Sequence, residues 1–405
     1  MKIGVLTFWH GNANYGMMLQ CWAMQEKLKQ MGHQPFVIRF ATERAKGLPR
    51  RILEKLKIYK LFLYFVSPQE YCLLKSKEKH DKLRKFDYFR QTNLALSERM
   101  YKTLKELQDN PPKADCYIVG SDQVWSQILN NADNEAYFLN FGSPEIKRIA
   151  YAPSFGFNAA DYPKDVYSVL KKALSRMDAI SCREQSGVTL CEELGFTAIK
   201  VLDPTFLLSK ESYMNLCPKC KPLTSQPYVF IYSLNIQSCD DIRFEELNSY
   251  IQCQHLDLVV TPADGYTQGQ ELFGKQALYS YATVEQWLSN IVNSLLVVTA
   301  SFHGVVLSII LERPFIYVPL SGSHSGSNGR ILEVLNFLGL TDRILTADKT
   351  YKEIAQANIN WKVVNDKLSQ SKQESEMEDP EEFETILPIY NKYPLKELII
   401  HPRVQ

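Results

Sequence analysis

Residues 2–40 read KIGVLTFWHGNANYGMMLQCWAMQEKLKQMGHQPFVIRF and contain a strand, a helix and a second strand. The apolar run at residues 3–8 is typical of a buried strand. Residues 16–31 then carry apolar side chains at helical spacing, on Met17, Cys21, Met24 and Leu28. Gly32 ends the helix, and residues 36–40 return to an apolar run. A strand, a helix and a strand in this order predict a βαβ unit with a parallel sheet.

The same alternation continues along the chain and predicts two sheets. Further apolar runs predict strands at 116–119, 148–152, 179–181 and 199–202, and then at 228–232, 256–261, 295–299 and 315–318. Between the two series, residues 203–227 hold four prolines and little periodicity, which is typical of a linker. The chain is therefore predicted to be α/β, with two Rossmann-like domains that face a central cleft. Their predicted bounds are 1–210 and 211–365, followed by an acidic segment and tail at 366–405.

The composition excludes several classes of function. The 46 Lys and Arg residues balance 45 Asp and Glu residues, so the net charge is +1 and no nucleic-acid partner is expected. Nine scattered cysteines predict a reducing, cytoplasmic location. No stretch approaches the roughly 20 apolar residues of a spanning helix, and the first residues lack the apolar core of a signal peptide. The C-x-x-C at 217–220 has no second pair, so no metal site is expected.

A helical insert at residues 41–92 is strongly basic. Between Arg39 and Arg90 the sequence has fifteen basic and six acidic residues, a net charge of +9, interspersed with large apolar residues. Two interpretations stay open: solvated helices packed on the sheet, or a basic amphipathic surface in peripheral contact with the inner face of a membrane. By contrast, residues 366–385 have a net charge of −6 and are predicted to be solvated.

Polar residues cluster at four predicted strand ends, the edge where open α/β sheets bind ligands. Residues 10–16 end at a helix start whose free N–H groups suit an anion or a sugar hydroxyl, although an ordinary strand-to-helix loop has the same pattern. In residues 119–125, Asp122 can accept sugar hydroxyls and Trp125 can cover a sugar ring. The alternative for this loop is a helix cap with a core tryptophan.

The other two strand ends carry cationic or titratable side chains. Arg183 opens a helix and suits an anion, unless it only pairs with a neighbouring carboxylate. Ser301 is a natural N-cap, and His303 in the first helical turn can act on a bound anion or be a buried structural histidine. Arg330 ends the small-residue loop 321–330, which either closes on an anion across the cleft or is an ordinary surface loop.

Taken in order, these stretches resemble the polysaccharide pyruvyltransferase family. The resemblance spans residues 3–365 and rests on Asn14-Tyr15-Gly16 with Leu19-Gln20, Gly120-Ser121-Asp122-Gln123-Val124-Trp125, Tyr151-Ala152-Pro153-Ser154-Phe155-Gly156, Ser181-Cys182-Arg183-Glu184, Val201-Leu202-Asp203-Pro204-Thr205 and Ser301-Phe302-His303-Gly304. It implies a fold similar to two-domain GT-B glycosyltransferases, with the acceptor on the N-terminal side and the donor on the C-terminal side. It also implies that phosphoenolpyruvate, without a further cofactor, gives its pyruvyl group to two hydroxyls of a sugar. Such a sugar belongs to a bacterial capsule or exopolysaccharide, whose precursor can be lipid-linked.

The resemblance, together with the loops above, assigns roles to single residues. The catalytic residues are predicted to be His303, Arg183 and Asp122. The donor is predicted to contact Arg183, Ser301, Phe302, His303, Gly304 and Arg330. The acceptor is predicted to contact Asn14, Tyr15, Gly16, Gln20, Ser121, Asp122, Gln123 and Trp125. One position departs from the family pattern, because Ala300 stands where an acidic residue usually precedes the histidine motif.

Two other functions stay open at the level of sequence. A nucleotide-sugar glycosyltransferase on the same two-domain plan binds UDP or GDP in place of phosphoenolpyruvate. A catalytically inactive carbohydrate-binding or scaffold subunit is the other possibility, and Ala300 would then mark the loss of activity.

Overall fold

Two parallel β-sheets with interleaved helices form the structure, a computed structural model that describes residues 1–42, 58–126, 131–156, 164–217, 220–236, 238–263 and 271–374. The strands of the first sheet are β1 (Lys2–Leu6), β2 (Gln34–Phe40), β3 (Leu96–Tyr101), β4 (Cys116–Val119), β5 (Lys147–Ala150), β6 (Ala179–Cys182) and β7 (Ile199–Lys200). The strands of the second sheet are β8 (Tyr228–Tyr232), β9 (Asp257–Val260), β10 (Ala277–Tyr279), β11 (Leu296–Thr299) and β12 (Phe315–Tyr317).

The strand orders establish the fold class. The first sheet has the order β3-β2-β1-β4-β5-β6-β7, and the second has the order β10-β9-β8-β11-β12. Neighbouring strands are parallel in both sheets. Each order reverses direction beside its first strand, between β1 and β4 and between β8 and β11, as in a Rossmann fold. The prediction of an α/β protein with two Rossmann-like parts is therefore confirmed.

The helices follow the strands almost one for one. They are α1 (Tyr15–Gln30), α2 (Tyr59–Val66), α3 (Pro68–Arg84), α4 (Phe86–Asn93), α5 (Leu104–Asp109), α6 (Tyr167–Leu174), α7 (Gln185–Glu193), α8 (Lys210–Met214), α9 (Phe244–Cys253), α10 (Val284–Val292), α11 (Phe302–Ile310), α12 (Gly329–Leu338), α13 (Tyr351–Gln356) and α14 (Trp361–Glu374). Short 3-10 turns lie between them, of which Pro204–Leu207 matters most for the site.

The apolar runs predicted the central strands correctly and missed one edge strand in each sheet. Strand β3 exposes Glu98, Arg99 and Met100, and β10 has only three residues. An edge strand has a neighbour on one side alone and needs less apolar surface. Neither strand therefore has the continuous apolar run that marks a strand buried on both faces.

Helix α1 lies between the two halves of the molecule. The predicted apolar stripe is buried, but Met18, Leu19 and Trp22, which lie outside the stripe, are buried as well. The helix contacts α10 and α11 of the second half and the 3-10 turn at Pro204–Leu207. One apolar cluster accordingly joins α1 with side chains of both halves, and this shared core fixes the edges of the two sheets relative to each other.

Two of the predicted segments lie partly outside the described residues, namely 43–57 of the basic insert and 375–405 of the tail. The described part of the insert forms α2, α3 and α4. Helix α14 runs across position 366, and Lys372 Nζ donates a hydrogen bond to Leu208 O over 3.2 Å. Residues 366–374 are therefore a packed helix and not the solvated segment that the charge pattern predicted. In the part of the chain that the structure describes, no helix combines the length and apolarity needed to cross a bilayer.

Candidate functional site

Side chains that follow four strands of the two sheets meet in one place. Ser121 follows β4, Arg183 follows β6 and Asp203 follows β7 in the first half. His303 follows β11 in the second half and lies 3.6 Å from Asp203, measured between Nε2 and Oδ2. The carboxyl ends of parallel strands share an edge, so loops distant in sequence converge there.

The buried carboxylate of Asp203 is the centre of this cluster. Its Oδ2 accepts hydrogen bonds from Ser121 Oγ at 2.7 Å and from Arg183 Nη1 at 3.0 Å. Its Oδ1 accepts from the backbone N–H of Thr205 at 3.0 Å and from Thr205 Oγ1 at 2.6 Å. The same carboxylate therefore caps the 3-10 turn at Pro204–Leu207 and holds the arginine in place.

The surroundings of Asp203 and Arg183 keep both side chains charged. Burial raises the pKa of Asp203, but His303, Arg183 and Thr205 outweigh burial and hold that pKa well below the ordinary value of about 3.9. Burial lowers the pKa of Arg183, while Asp203, Glu184 and Asp122 raise it above its usual value. Asp203 is therefore an anion and Arg183 a cation at neutral pH.

His303 enters the site from the first turn of α11. Ser301 is the N-cap of this helix, and its Oγ accepts from Gly304 N at 3.4 Å. A side chain is not tolerated at Gly304, because a Cβ there would lie 2.3 Å from Thr299 Oγ1. The imidazole is 7% exposed and lies edge-on to the ring of Phe302. This tight turn aims His303 at the opposite half of the molecule.

Gly16 of the first half receives the imidazole. A Cβ at Gly16 would lie only 2.2 Å from His303 Nδ1 and 2.4 Å from Cγ. Neither distance is compatible with van der Waals contact, so the glycine is required for the close approach of α1 and α11. The predicted acceptor residue Gly16 is thus a direct neighbour of the predicted catalytic histidine.

Replacing Gly16 by alanine is expected to displace the imidazole by about 1 Å and to lower the turnover number by roughly 10²-fold. The measurement is kcat of wild type and G16A. Gly329→Ala is the matched control, since Gly329 also begins a helix and a Cβ there meets nothing within 4 Å. If G16A kept the kcat of wild type, the exact position of the His303 imidazole would not matter for turnover, and the prediction would be wrong.

A second guanidinium, that of Arg330, lies close to the first. The guanidinium carbon of Arg183 lies 4.7 Å from the ring centroid of Phe302, and that of Arg330 lies 5.9 Å from it. In the amide orientation that satisfies both side chains, Gln123 Oε1 accepts from Arg330 Nη1 and Nη2 at 2.8 and 2.9 Å. Burial and the nearby Arg183 lower the pKa of Arg330 to about 10. Both cations therefore lie within 6 Å of the centre of one aromatic ring, and their like charges repel each other.

Several donors in this cluster lack a hydrogen-bond partner among the described residues. They are the Nε and Nη2 atoms of Arg183, Nε of Arg330 and Nε2 of His303. Glu184 Oε2 also has no hydrogen bond and lies 3.6 Å from Arg183 Nε. Buried donors without partners carry a cost that a bound anion relieves. The cluster therefore offers two guanidinium groups with N–H donors to an anion, although Asp203, Glu184 and Asp122 offset part of their charge.

The predicted acceptor residues lie in different environments. Ser121, Gln123 and Gly16 contact the cluster, as described above. Asn14 is the N-cap of α1, and its Oδ1 accepts from Met17 N at 3.0 Å. Asp122 is half-buried, with φ of 85°, and its Oδ1 accepts from Gln123 N at 2.8 Å. The left-handed backbone turns the loop sharply and brings Asp122 within electrostatic range of both arginines.

Trp125, Tyr15 and Gln20 lie in the core and not on the cleft wall. Trp125 is fully buried, donates from Nε1 to Tyr137 O at 3.0 Å and stacks on Phe138. Tyr15 donates from its hydroxyl to Ala282 O at 2.7 Å. Gln20 Nε2 donates to Thr7 Oγ1 at 3.1 Å. A fully buried indole has no free face for a sugar, so Trp125 instead supports the loop that carries Asp122.

The sequence motif that contains Asp203 gave this residue no role. In the structure its carboxylate contacts Ser121, Arg183 and His303 and so connects the members of the cluster. Its position shortly after β7, on the same edge as Arg183, is the signal by which the sequence could have revealed it. Ala300, the departure from the family pattern, is buried, and its backbone N–H donates to Ser233 Oγ at 3.1 Å. The carboxylate nearest His303 therefore comes from the other half of the molecule, through Asp203.

An apolar pocket adjoins the cluster behind Phe302. It lies between the halves and is lined by Arg183, Lys200, Val201, Leu202, Asp203, Phe206, Phe302, Glu333, Val334, Phe337 and Ser371. Lys200 and Glu333 form an ion pair across the boundary between the halves. Across the described ranges, no group of three His, Cys, Asp or Glu side chains is arranged to hold a metal ion.

Comparisons with known proteins identify a family and structures of similar fold. A family model described as polysaccharide pyruvyl transferase matches residues 14–322. No curated protein matches the chain. Solved structures similar to it include UDP-GlcNAc 2-epimerase from Methanocaldococcus jannaschii, at 12% identity over 91% of this chain and 92% of that chain, with a TM-score of 0.46. Arabidopsis thaliana UGT89C1 complexed with UDP has 11% identity, coverage of 92% and 95% and a TM-score of 0.45. Acinetobacter baumannii MurG has 10% identity, coverage of 92% and 94% and a TM-score of 0.38.

Proposed function

Because the chain belongs to the polysaccharide pyruvyl transferase family, we propose that it transfers the pyruvyl group of phosphoenolpyruvate to a sugar of a cell-surface polysaccharide precursor. The product is a pyruvate ketal on two sugar hydroxyls. The observation that carries this proposal is the pair of arginines, Arg183 and Arg330, which flank Phe302 and keep donors without partners. A trianionic donor would give these N–H groups acceptors.

The two guanidinium groups of the cluster match the anionic groups of the donor. Phosphoenolpyruvate carries about three negative charges, on a phosphate and a carboxylate, and planar guanidinium groups bind both anions with paired hydrogen bonds. Arg183 and Arg330 supply the cations, and Nε and Nη2 of Arg183 and Nε of Arg330 are the N–H donors without partners. The N-terminus of the nine-residue helix α11 adds a favourable potential for an anion at the same point.

The proposed reaction balances without a cofactor. A proton is added to the methylene carbon of phosphoenolpyruvate, and the adjacent carbon becomes an oxocarbenium-like centre that one sugar hydroxyl attacks. The C–O bond to phosphate then breaks, and the second hydroxyl adds to the same carbon. The methyl group gains one proton, the two hydroxyls lose two, and the released phosphate takes up the second proton. The products are the ketal and inorganic phosphate.

We assign the proton transfers to two side chains. His303 acts as the acid that protonates the methylene carbon, with Asp203 as the carboxylate that orients the imidazole and stabilises its cationic form. Asp122 is the group that orients or deprotonates the acceptor hydroxyl, since it follows β4 on the shared edge. In this scheme Ala300 does not imply loss of activity, because Asp203 serves His303 instead.

The donor and the unpaired thiols support a cytoplasmic reaction. All nine cysteines are free, and a reducing compartment keeps thiols in this form. A lipid-linked oligosaccharide at the inner face of the membrane is the acceptor that suits this location, in a bacterium that makes a capsule or exopolysaccharide.

The donor site is tested by replacing each arginine with lysine, which keeps the charge and removes the planar fork. For R183K and R330K we expect the KM for phosphoenolpyruvate to rise by roughly 10 to 10²-fold each, the value of one or two hydrogen bonds to a charged group. Phosphate release and mass gain are measured on galactose-, glucose- and mannose-type acceptors. Exposed Arg176→Lys is the matched control, with no change expected.

The thermal stability of the wild-type protein with different ligands distinguishes a pyruvyltransferase from a nucleotide-sugar glycosyltransferase. Phosphoenolpyruvate should raise the Tm of wild type, and UDP- or GDP-sugars should not. Stabilisation by a nucleotide sugar, with no turnover of phosphoenolpyruvate, would establish a glycosyltransferase instead. Binding of acceptor sugars without turnover of either donor would establish an inactive carbohydrate-binding subunit.

A further inference from the structure

Helix α2 exposes most of its apolar side chains to solvent. The exposed fractions are 59% for Leu61, 43% for Phe62, 54% for Tyr64, 73% for Phe65 and 64% for Val66. Within α2 only Leu63 is buried. Single exposed apolar residues are common, but five in one eight-residue helix form a continuous patch, and such patches mark interaction surfaces.

A row of lysines lies directly beside this patch, on α3. Lys75, Lys79 and Lys82 are exposed and lie at helical spacing, so they share one face. Two contacts place α2 alongside that face: the rings of Tyr64 and Tyr71 meet edge-on at 5.3 Å, and Lys60 Nζ lies 2.6 Å from Glu78 Oε1. We call the five apolar residues and these three lysines the docking surface.

The opposite face of α3 is attached to the second half of the molecule. His80 stacks on Tyr281 with ring centroids 3.5 Å apart, and the guanidinium of Arg84 lies over the same ring. Arg84 Nη1 donates to Pro262 O at 2.9 Å. Because these contacts fix the inner face of α3, the lysine row is held outward, together with α2.

We propose that the docking surface binds the protein to an anionic lipid bilayer. Apolar side chains of a surface helix enter the boundary between headgroups and acyl chains, while adjacent lysines bind the anionic headgroups. In the sequence, residues 43–57, which come shortly before α2, include six basic and two acidic residues. A second copy of the chain suits the surface less well, because pairing would bring two rows of lysines together.

Binding of the docking surface to a bilayer would also orient the cleft relative to the membrane. Arg84 Nη1 lies 3.4 Å from the hydroxyl of Tyr15, which precedes Gly16 beside His303. The docking surface and the site are therefore connected through α3 and α1. A membrane-bound acceptor would reach the cleft in a fixed orientation, a consequence that rests on the proposed function, whereas bilayer binding itself does not.

The experiment is flotation of the full chain with vesicles of phosphatidylcholine, alone or with phosphatidylserine. Wild type is expected to float only with the anionic vesicles, and less so as the salt concentration rises. The variants K75E/K79E/K82E and L61S/F65S should each weaken this binding by about tenfold or more. We expect both variants to keep the Tm of wild type, which would show that they fold. Sedimentation velocity reports their state of association.

Matched controls separate the docking surface from general surface effects. K105E/K172E/K362E changes the same charge on exposed lysines elsewhere, and V169S/V363S removes exposed apolar side chains from α6 and α14. Both should float like wild type. Failure of wild type to bind anionic vesicles, or equal binding by all variants, overturns the proposal. A dimer that dissociates in L61S/F65S without vesicle binding would make the surface a self-association site. Activity towards a soluble acceptor is recorded separately, so failure of the proposed function is distinguishable.

Discussion

Replacing His303 by glutamine is expected to lower kcat for pyruvyl transfer by about 10² to 10⁴-fold, the usual contribution of a general acid. Glutamine keeps an N–H donor near the position of Nε2 but cannot release a proton at neutral pH. Donor binding should therefore suffer less than turnover, and KM for phosphoenolpyruvate should change by less than kcat. Steady-state phosphate release at saturating acceptor measures both quantities.

The control for this variant is His255→Gln, since His255 is exposed and follows α9. It should leave kcat and KM unchanged. A His303→Gln enzyme with wild-type kcat and a raised KM would show that the imidazole binds phosphate without donating a proton. The tight fit of His303 against Gly16 and the N-cap at Ser301 would then serve donor affinity alone.

The second large effect is expected for Asp203→Asn. The amide would present an N–H₂ group to Ser121 Oγ or Arg183 Nη1, where the carboxylate now accepts hydrogen bonds. Arg183 would also lose its closest counter-charge while buried, and removing one partner of a buried pair costs about 3 to 5 kcal/mol. We expect the free energy of unfolding to fall by about 3 kcal/mol, the lower end, because Glu184 stays near Arg183.

The pH dependence gives an independent test of the same interaction. The folded-state pKa of Asp203 lies well below its unfolded value, so its stabilisation is fully present above about pH 4 and is lost as the pH falls through the folded pKa. The stability difference between wild type and D203N should therefore be constant near neutral pH and shrink under acid conditions. Urea unfolding across this pH range measures it.

Asp109→Asn is the comparison for this prediction. Asp109 forms an exposed ion pair with Lys105, and such pairs contribute about 0 to 1 kcal/mol. It should unfold like wild type at every pH. Equal stability of D203N and wild type at neutral pH would mean that the Asp203–Arg183 contact contributes nothing to folding, and the assignment of Asp203 as the centre of the site would fail.

The fold class and the positions of most of the described strands were predictable from the amino-acid sequence. A strand buried on both faces needs a continuous apolar run, and each central strand, such as β4, β8 and β11, has one. Edge strands β3 and β10 need no such run and were missed. Arg183 and His303 were also predictable, because polar residues at strand ends must lie on the ligand-binding edge.

Only the tertiary structure decided how these residues work together. The distance between Asp203 and His303, the fit of Gly16 against the imidazole and the placing of Arg330 beside Phe302 all join residues far apart in the chain. Local patterns report which face of an element is apolar, and they carry no information on which distant loop meets it. For the same reason the motif around Trp125 is compatible both with a sugar contact and with a position in the core. Its burial against Phe138 follows from packing, which a sequence pattern of one segment cannot contain.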